Sequence, residues 1–378
     1  MPGRRMCLPV AVQATAPRKR RGIMKFIGIT LLVLVLLSIA AFGITYSWTY
    51  TPIGRLEYRA AILAKIAEWN HAPMPMDDAS RRAGDEATAK LIGVPKSSLG
   101  LIQRDVQVPA SGHQIPVRIY IPDGPGPFPA VVNIHGGGFF AGRSFAFDSI
   151  PMELARKLGA VVFSVDYRLA PEHPYPAAVN DCFDAYLWVA AHAAEYRADP
   201  ARIAIMGQSA GGNLVAVTTL KLRDHGGPQP VFQYIEVPVV DMSGQHQWKS
   251  MTETGDKYFL KVSMLPQITS MYLSDAKNAT SPEVSPLLAS SHANLPPALV
   301  VVAQFDPLRD QGIAYAKALE SSHVPVHLII APGVLHGFMG TPEQAMENLV
   351  QAVEIMRPVM YPEPSNTKER GGNRATRD

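Results

Sequence analysis

From residue 129 onward, short runs of Val, Ile, Leu and Ala alternate with segments of helical length, a pattern that few architectures accommodate. The runs at 130–134, 160–165, 203–206, 299–303 and 326–330 are apolar apart from Asn133, Ser164 and His327, and read as strands buried in a sheet. Helical intervals at 152–158, 177–196, 211–223, 311–320 and 342–356 separate them. This repeat predicts an α/β fold with a mostly parallel central sheet flanked by helices. Hydrophobic residues make up 47% of the 378, enough for a large core. Two alternating runs at 102–108 and 117–121, joined through Ser111-Gly112, read as further strands.

The chemistry-bearing residues fall at the ends of these runs. Gly207-Gln208-Ser209-Ala210-Gly211 matches G-x-S-x-G directly after the run at 203–206 and directly before a helical stretch. A serine on such a turn is exposed, and a helix N-terminus behind it favours developing negative charge. A hydroxyl is a weak nucleophile without a base. Asp306 follows the run at 299–303, and His336, in a Gly-containing turn, follows the run at 326–330. The chain order Ser, Asp, His suits three groups converging at the carboxyl edge of a parallel sheet. Asp310 is the rival acid, but it lies inside the next helical stretch beside Arg309. The polar-loop histidines His225, His246, His292 and His323 show no metal-ligand spacing, so no metal and no cofactor are expected.

His135-Gly136-Gly137-Gly138-Phe139 follows the run at 130–134, where a glycine loop can offer backbone N–H groups to a substrate oxygen. Gly137, Gly138 and Ala210 are the expected oxyanion donors. A phosphate-binding glycine loop is the alternative, but no Gly-Lys-Ser/Thr follows. Cys182 sits among Phe183, Tyr186 and Trp188 and reads as a small buried hydrophobe.

With these motifs in place, the chain resembles the hormone-sensitive lipase family of esterases over residues 100–358. The resemblance rests on the 135–139 loop, on Asp166-Tyr167-Arg168-Leu169-Ala170-Pro171-Glu172-His173, on the 207–212 turn, on 306–310 and on His336-Gly337-Phe338. It implies an α/β-hydrolase fold and a serine carboxylester hydrolase acting on short- to medium-chain acyl esters. It makes 166–176, His173 included, a structural element beside the site. Two positions depart from the family pattern: Gln208 stands where an acidic residue is usual, leaving any ion pair bracing the turn in doubt, and Gln311 replaces a frequent Glu. The resemblance also implies a helical cap from residues 52–98 and an insertion at about 241–285, after a strand ending near Val240. The catalytic domain would run 99–361. Trp248, Met251, Tyr258, Phe259, Met264, Met271 and Tyr272 either line an acyl pocket or pack cap on core, and Met74/Met76 are lid candidates. An amide deacetylase or membrane-lipid hydrolase using the same residues, and a non-catalytic binding protein, are the alternatives.

The N-terminal region carries a separate signal. Residues 1–25 form a basic arm with seven Lys/Arg and no acid, leaving the remainder at a net −4, which gives no footprint for nucleic acid. Residues 26–50 carry no charge, are long enough to span a bilayer, and end in Tyr46, Trp48 and Tyr50. They read as a transmembrane anchor holding the body outside the cytoplasm. A cleaved signal, giving a secreted or periplasmic enzyme, and a buried core helix are the other readings. Met24 is a candidate alternative start. The polar segment 362–378 reads as a disordered tail.

Overall fold

The structure is a computed structural model and describes residues 18–69, 77–92, 100–143 and 149–362. The sequence readings for Met74/Met76, for most of the basic arm and for nearly all of the tail lie outside the described residues. In chain order the elements are α1 (Arg18–Ser47), β1 (Tyr50–Thr51), β2 (Gly54–Arg55), α2 (Tyr58–Trp69), α3 (Asp78–Ile92), β3 (Ile102–Ala110), β4 (His113–Ile121), β5 (Phe128–Ile134), α4 (Ser149–Leu154), β6 (Val161–Val165), α5 (Ala177–His192), β7 (Ala198–Gln208), α6 (Ala210–Asp224), β8 (Phe232–Glu236), α7 (Lys249–Thr254), α8 (Leu265–Tyr272), β9 (Ala298–Phe305), α9 (Arg309–Ser321), β10 (Val326–Leu335) and α10 (Pro342–Met360).

Eight strands form one sheet in the order β10-β9-β8-β7-β5-β6-β4-β3. β5 to β10 are mutually parallel, while β4 pairs antiparallel with both β6 and β3. α5, α6 and α9 cover one face through residues such as Val179, Leu214 and Tyr315. α4 and α10 cover the other through Leu154, Leu349 and Met356. The α/β-hydrolase fold expected from the sequence is present, with α7 and α8 in the segment between β8 and β9 forming a helical cap.

Three elements differ from the sequence reading. β8 ends at Glu236 rather than near Val240, because Val237 has φ +40° and leaves the extended conformation. Its Gln233 and Glu236 are buried and hydrogen-bonded, which hides the strand from any search for apolar runs. Residues 50–55 form a two-stranded hairpin instead of continuing a helix. β10 extends to Leu335 past an irregularity between Ala331 and Leu335, where Gly333 (φ +71°) donates to Gln304 and accepts from the Glu57 amide, docking the start of α2.

Within α1, Met24–Ser47 is long and apolar enough to cross a membrane, and among the described residues nothing buries its most apolar stretch. At 1.5 Å per residue it spans about 36 Å. Two of its hydroxyls bond within the helix, Thr30 to the Phe26 carbonyl at 3.0 Å and Ser38 to the Leu34 carbonyl at 2.8 Å. The helix stops short of Tyr50, because Trp48 and Thr49 turn back on Thr45 and Tyr46.

Candidate active site

Four parallel strands deliver the site. β5, β7, β9 and β10 end at Ile134, Gln208, Phe305 and Leu335, and the very next residues are His135, Ser209, Asp306 and His336. Ser209 alone links β7 to α6, with φ 57° and ψ −117°, outside the regions open to most side chains. Two residues to either side, Gly207 and Gly211 leave no space for a side chain. A Cβ on Gly211 would lie 2.1 Å from the Ile134 carbonyl oxygen, and one on Gly207 would lie 2.4 Å from the Gly211 oxygen.

Ser209, Asp306 and His336, separated by up to 127 residues in sequence, meet in one hydrogen-bonded chain. His336 Nδ1 lies 2.7 Å from Asp306 Oδ2, and Nε2 lies 2.9 Å from Ser209 Oγ. Asp306 is fully buried, and its Oδ1 accepts the Leu308 amide at 2.8 Å. An ionised carboxylate only accepts, so Nδ1 carries the proton and Nε2 is left to accept from the serine hydroxyl. The rival Asp310 points elsewhere: it accepts the Ser250 amide at 2.8 Å and pairs with Arg309, fastening α7 to the start of α9.

The glycine loop stands across from Ser209. Gly137 (φ +115°) and Gly138 (φ +62°) adopt backbone conformations that favour glycine. A Cβ on Gly137 would sit 2.0 Å from the Ala141 oxygen. Ala210 opens α6, so its N–H has no acceptor within the helix. The loop is braced from several sides. The His135 ring stacks on Tyr167 at 4.2 Å, the Tyr167 hydroxyl donates to the His135 carbonyl, and the Ala170 amide donates to the Phe139 carbonyl. Burial pushes the His135 imidazole below its ordinary range. The 166–173 motif thus supports the loop, while His173 is exposed and away from the site.

Sequence reasoning missed two participants. Asp85 of α3 accepts the Gly142 amide at 2.9 Å and so pins the far end of the glycine loop; a lone acid on a polar helix gives no sign of this. Glu236 lies under the serine turn. Its carbonyl accepts the Ser209 amide at 2.8 Å, and its carboxylate accepts from Gln208 Nε2 at 2.6 Å and from the Tyr234 hydroxyl at 2.7 Å. Gln208 therefore braces the turn by donating a proton, which a carboxylate there could not do without itself being protonated. Gln311, by contrast, accepts, its Oε1 taking the Val240 and Asp241 amides at 3.0 Å each.

Burial holds the Glu236 carboxyl above the ordinary glutamate range, against the two hydrogen bonds that favour its ionised form. With a raised folded-state value, the native protein binds the extra proton, so stability falls as pH rises through that window. Wild type should therefore lose stability relative to Glu236→Gln as pH climbs above ~4.3. Denaturant unfolding of both at several pH values checks this, and a pH-independent difference would contradict it.

Above the serine lies a cavity of about 1510 Å³. Trp248, Met251, Phe259 and Met264 line it, whereas Tyr258, Met271 and Tyr272 are buried packing residues; the Tyr258 ring meets Phe305 and the Tyr272 ring stacks on Phe139 at 3.8 Å. α2 contributes Ile62 and Leu63 to the wall. His246, read from sequence as an ordinary loop residue, also lines the cavity and bonds Asp241 at 2.7 Å. Among the described residues no cluster of His, Cys, Asp or Glu is arranged to hold a metal ion. Cys182 is buried, and burial pushes its thiol well up.

A family model for the alpha/beta hydrolase fold matches residues 131–340. The carboxylic ester hydrolase LipN of Mycobacterium tuberculosis is 42% identical over 241 residues, 62% of this chain and 64% of LipN. An arylesterase of Saccharolobus solfataricus is 37% identical over 285 residues, 74% of this chain and 90% of the arylesterase. A solved arylesterase structure superposes with a TM-score of 0.74 at 35% identity, covering 81% of this chain and 99% of that one. The glycine loop, the serine turn and the His–Asp pair all fall within the matched segment, and the chain belongs to the α/β-hydrolase fold family, among its serine-hydrolase-type esterases and lipases.

Proposed function

We propose that Ser209 is the nucleophile, His336 its base, and Asp306 the acid that orients and charge-balances the imidazole. The observation that carries this is the placement of one imidazole between the Ser209 hydroxyl and a buried carboxylate, at 2.9 and 2.7 Å. As Ser209 Oγ attacks the ester carbonyl, its proton passes to His336 Nε2. The carbonyl oxygen gains negative charge and is held by the N–H groups of Gly137, Gly138 and Ala210. The C–O bond to the alcohol then breaks, His336 protonates the departing oxygen, and the acyl group stays on Ser209. Water repeats the sequence and releases the acid.

Within the family we place the chain in the hormone-sensitive lipase subgroup, supported by the Tyr167 and Ala170 bonds to the glycine loop and by α3 reaching that loop through Asp85. We place α1 in a membrane as a retained anchor, with the catalytic domain outside the cytoplasm. In support, none of the described residues buries the helix's apolar stretch, yet it is tied to α2 by the 2.7 Å bond between Thr45 and Tyr58. Cleavage would leave a periplasmic or secreted enzyme with the same site.

Ethyl acetate, the substrate named for a relative in Pseudomonas putida, carries a short acyl group. The cavity accommodates medium chains as well. With p-nitrophenyl esters from acetate to dodecanoate, kcat/KM should peak at short to medium length and exceed that of matched anilides by about a hundredfold or more. Equal rates on anilides would favour an amide deacetylase.

A further inference from the structure

Resting on the anchored reading of α1, we infer that the outer side of α2 and the loop at 257–261 lie in the bilayer interface, and that the cavity draws its ester from the membrane. The juxtaposition begins where α1 ends. Tyr58, the first residue of α2, packs on Phe42 and Tyr46 and bonds Thr45, while Trp69, its last, meets Trp48 edge-on at 5.8 Å. Both ends of α2 thus touch the exit of the apolar helix, so α2 lies along the level at which α1 leaves the hydrocarbon. Arg55 over the rings of Tyr46 and Tyr50 adds the aromatic and cationic groups typical of that level.

On the side of α2 turned from the core, Arg59 pairs with Glu343 at one end, and beyond it the exposed residues are apolar where a soluble helix would be polar. Ile66 is 53% exposed and Trp69 65% exposed, one turn apart. The opposite side, through Ala60, Ala61 and Ala64, packs with Leu56 and Tyr258. Tyr258 thereby fixes its neighbour Phe259, which is 42% exposed yet also lines the catalytic cavity, as do Ile62 and Leu63 of α2. One short stretch therefore carries both an exposed apolar edge and the wall of the acyl cavity.

The occupant we commit to is a lipid surface. Basic Arg55, Lys65, Lys257 and Lys261 are interspersed with acidic Glu57, Glu68 and Asp256, so burial of apolar side chains rather than lipid charge must supply the attraction. The substrate class that follows is an acyl ester dissolved in the bilayer, reached without passage through water.

The full-length enzyme and an Ile66→Ser/Trp69→Ser variant are reconstituted in phosphatidylcholine vesicles. Each is assayed on p-nitrophenyl acetate and on a fluorogenic diacyl ester embedded in the same vesicles. Both proteins should float with the vesicles and hydrolyse the soluble ester equally, while the variant loses about tenfold or more on the embedded ester. Failure of both to float overturns the anchored reading and the inference with it. Flotation with an unchanged ratio of the two activities overturns the inference alone, as does a wild-type dimer that the variant dissolves. A Phe259→Trp variant supplies a second readout: brominated phosphatidylcholine should quench its added fluorescence, and no added quenching counts against the inference.

Discussion

Ser209→Ala is expected to lower kcat on a soluble ester by on the order of 10⁵–10⁶ while leaving the fold intact. The size follows from the geometry. The Ser209 hydroxyl lies at 2.9 Å from His336 Nε2, so its removal takes from the imidazole the nucleophile it is placed to activate. Asp306→Asn should cost about 10⁴, because an amide at that position can favour the wrong imidazole tautomer while the fold survives. Combining the two changes should add little, since the groups act as a unit. Ser209→Gly should be as inactive as Ser209→Ala but more stable by about 1 kcal/mol, because glycine relieves the backbone at φ 57°, ψ −117°. Thermal unfolding of the two variants separates strain relief from loss of the hydroxyl.

Gly137→Ala carries the next largest expected effect, a fall in kcat of about 10²–10³ with little change in KM. The position combines φ +115° with a Cβ that would stand 2.0 Å from the Ala141 oxygen. That oxygen is backbone, so the loop itself must move, and its N–H groups move with it. The sheet should tolerate this, because the added Cβ meets the loop's own Ala141 and Gly142 rather than any strand. Steady-state rates with circular dichroism as the folding control check the result. An unchanged kcat would mean that these amides do not hold the transition-state oxygen.

The candidate triad was legible in the sequence because Ser209, Asp306 and His336 each directly follow a parallel strand, and these strands read as largely apolar runs. Ser209, Asp306 and His336 needed no knowledge of long-range packing beyond the rule that such strands share a carboxyl edge. What escaped was whatever depends on a partner remote in sequence. β8 is a buried strand in which Gln233 is bonded by Pro296 and Thr219, and Glu236 by Tyr234 and Gln208. Asp85 looks like any acid on a polar helix until Gly142 is seen against it. Gln208 stood out as a departure from the family pattern, and the Glu236 carboxylate that makes a glutamine suitable there lies 28 residues away. The Met and aromatic residues of the cap divided into cavity lining and packing by register within short elements, which composition does not encode.

The central claim, that Ser209 is the nucleophile activated by His336, is tested most directly by covalent capture. An organophosphate is incubated with wild type, Ser209→Ala and His336→Ala, and the adducts are located by peptide mass spectrometry. The account predicts one phosphoryl adduct on Ser209 in the wild type, none in Ser209→Ala, and labelling slowed by several orders of magnitude in His336→Ala. A wild-type adduct on any other residue, or labelling of Ser209 at full rate without His336, would contradict it.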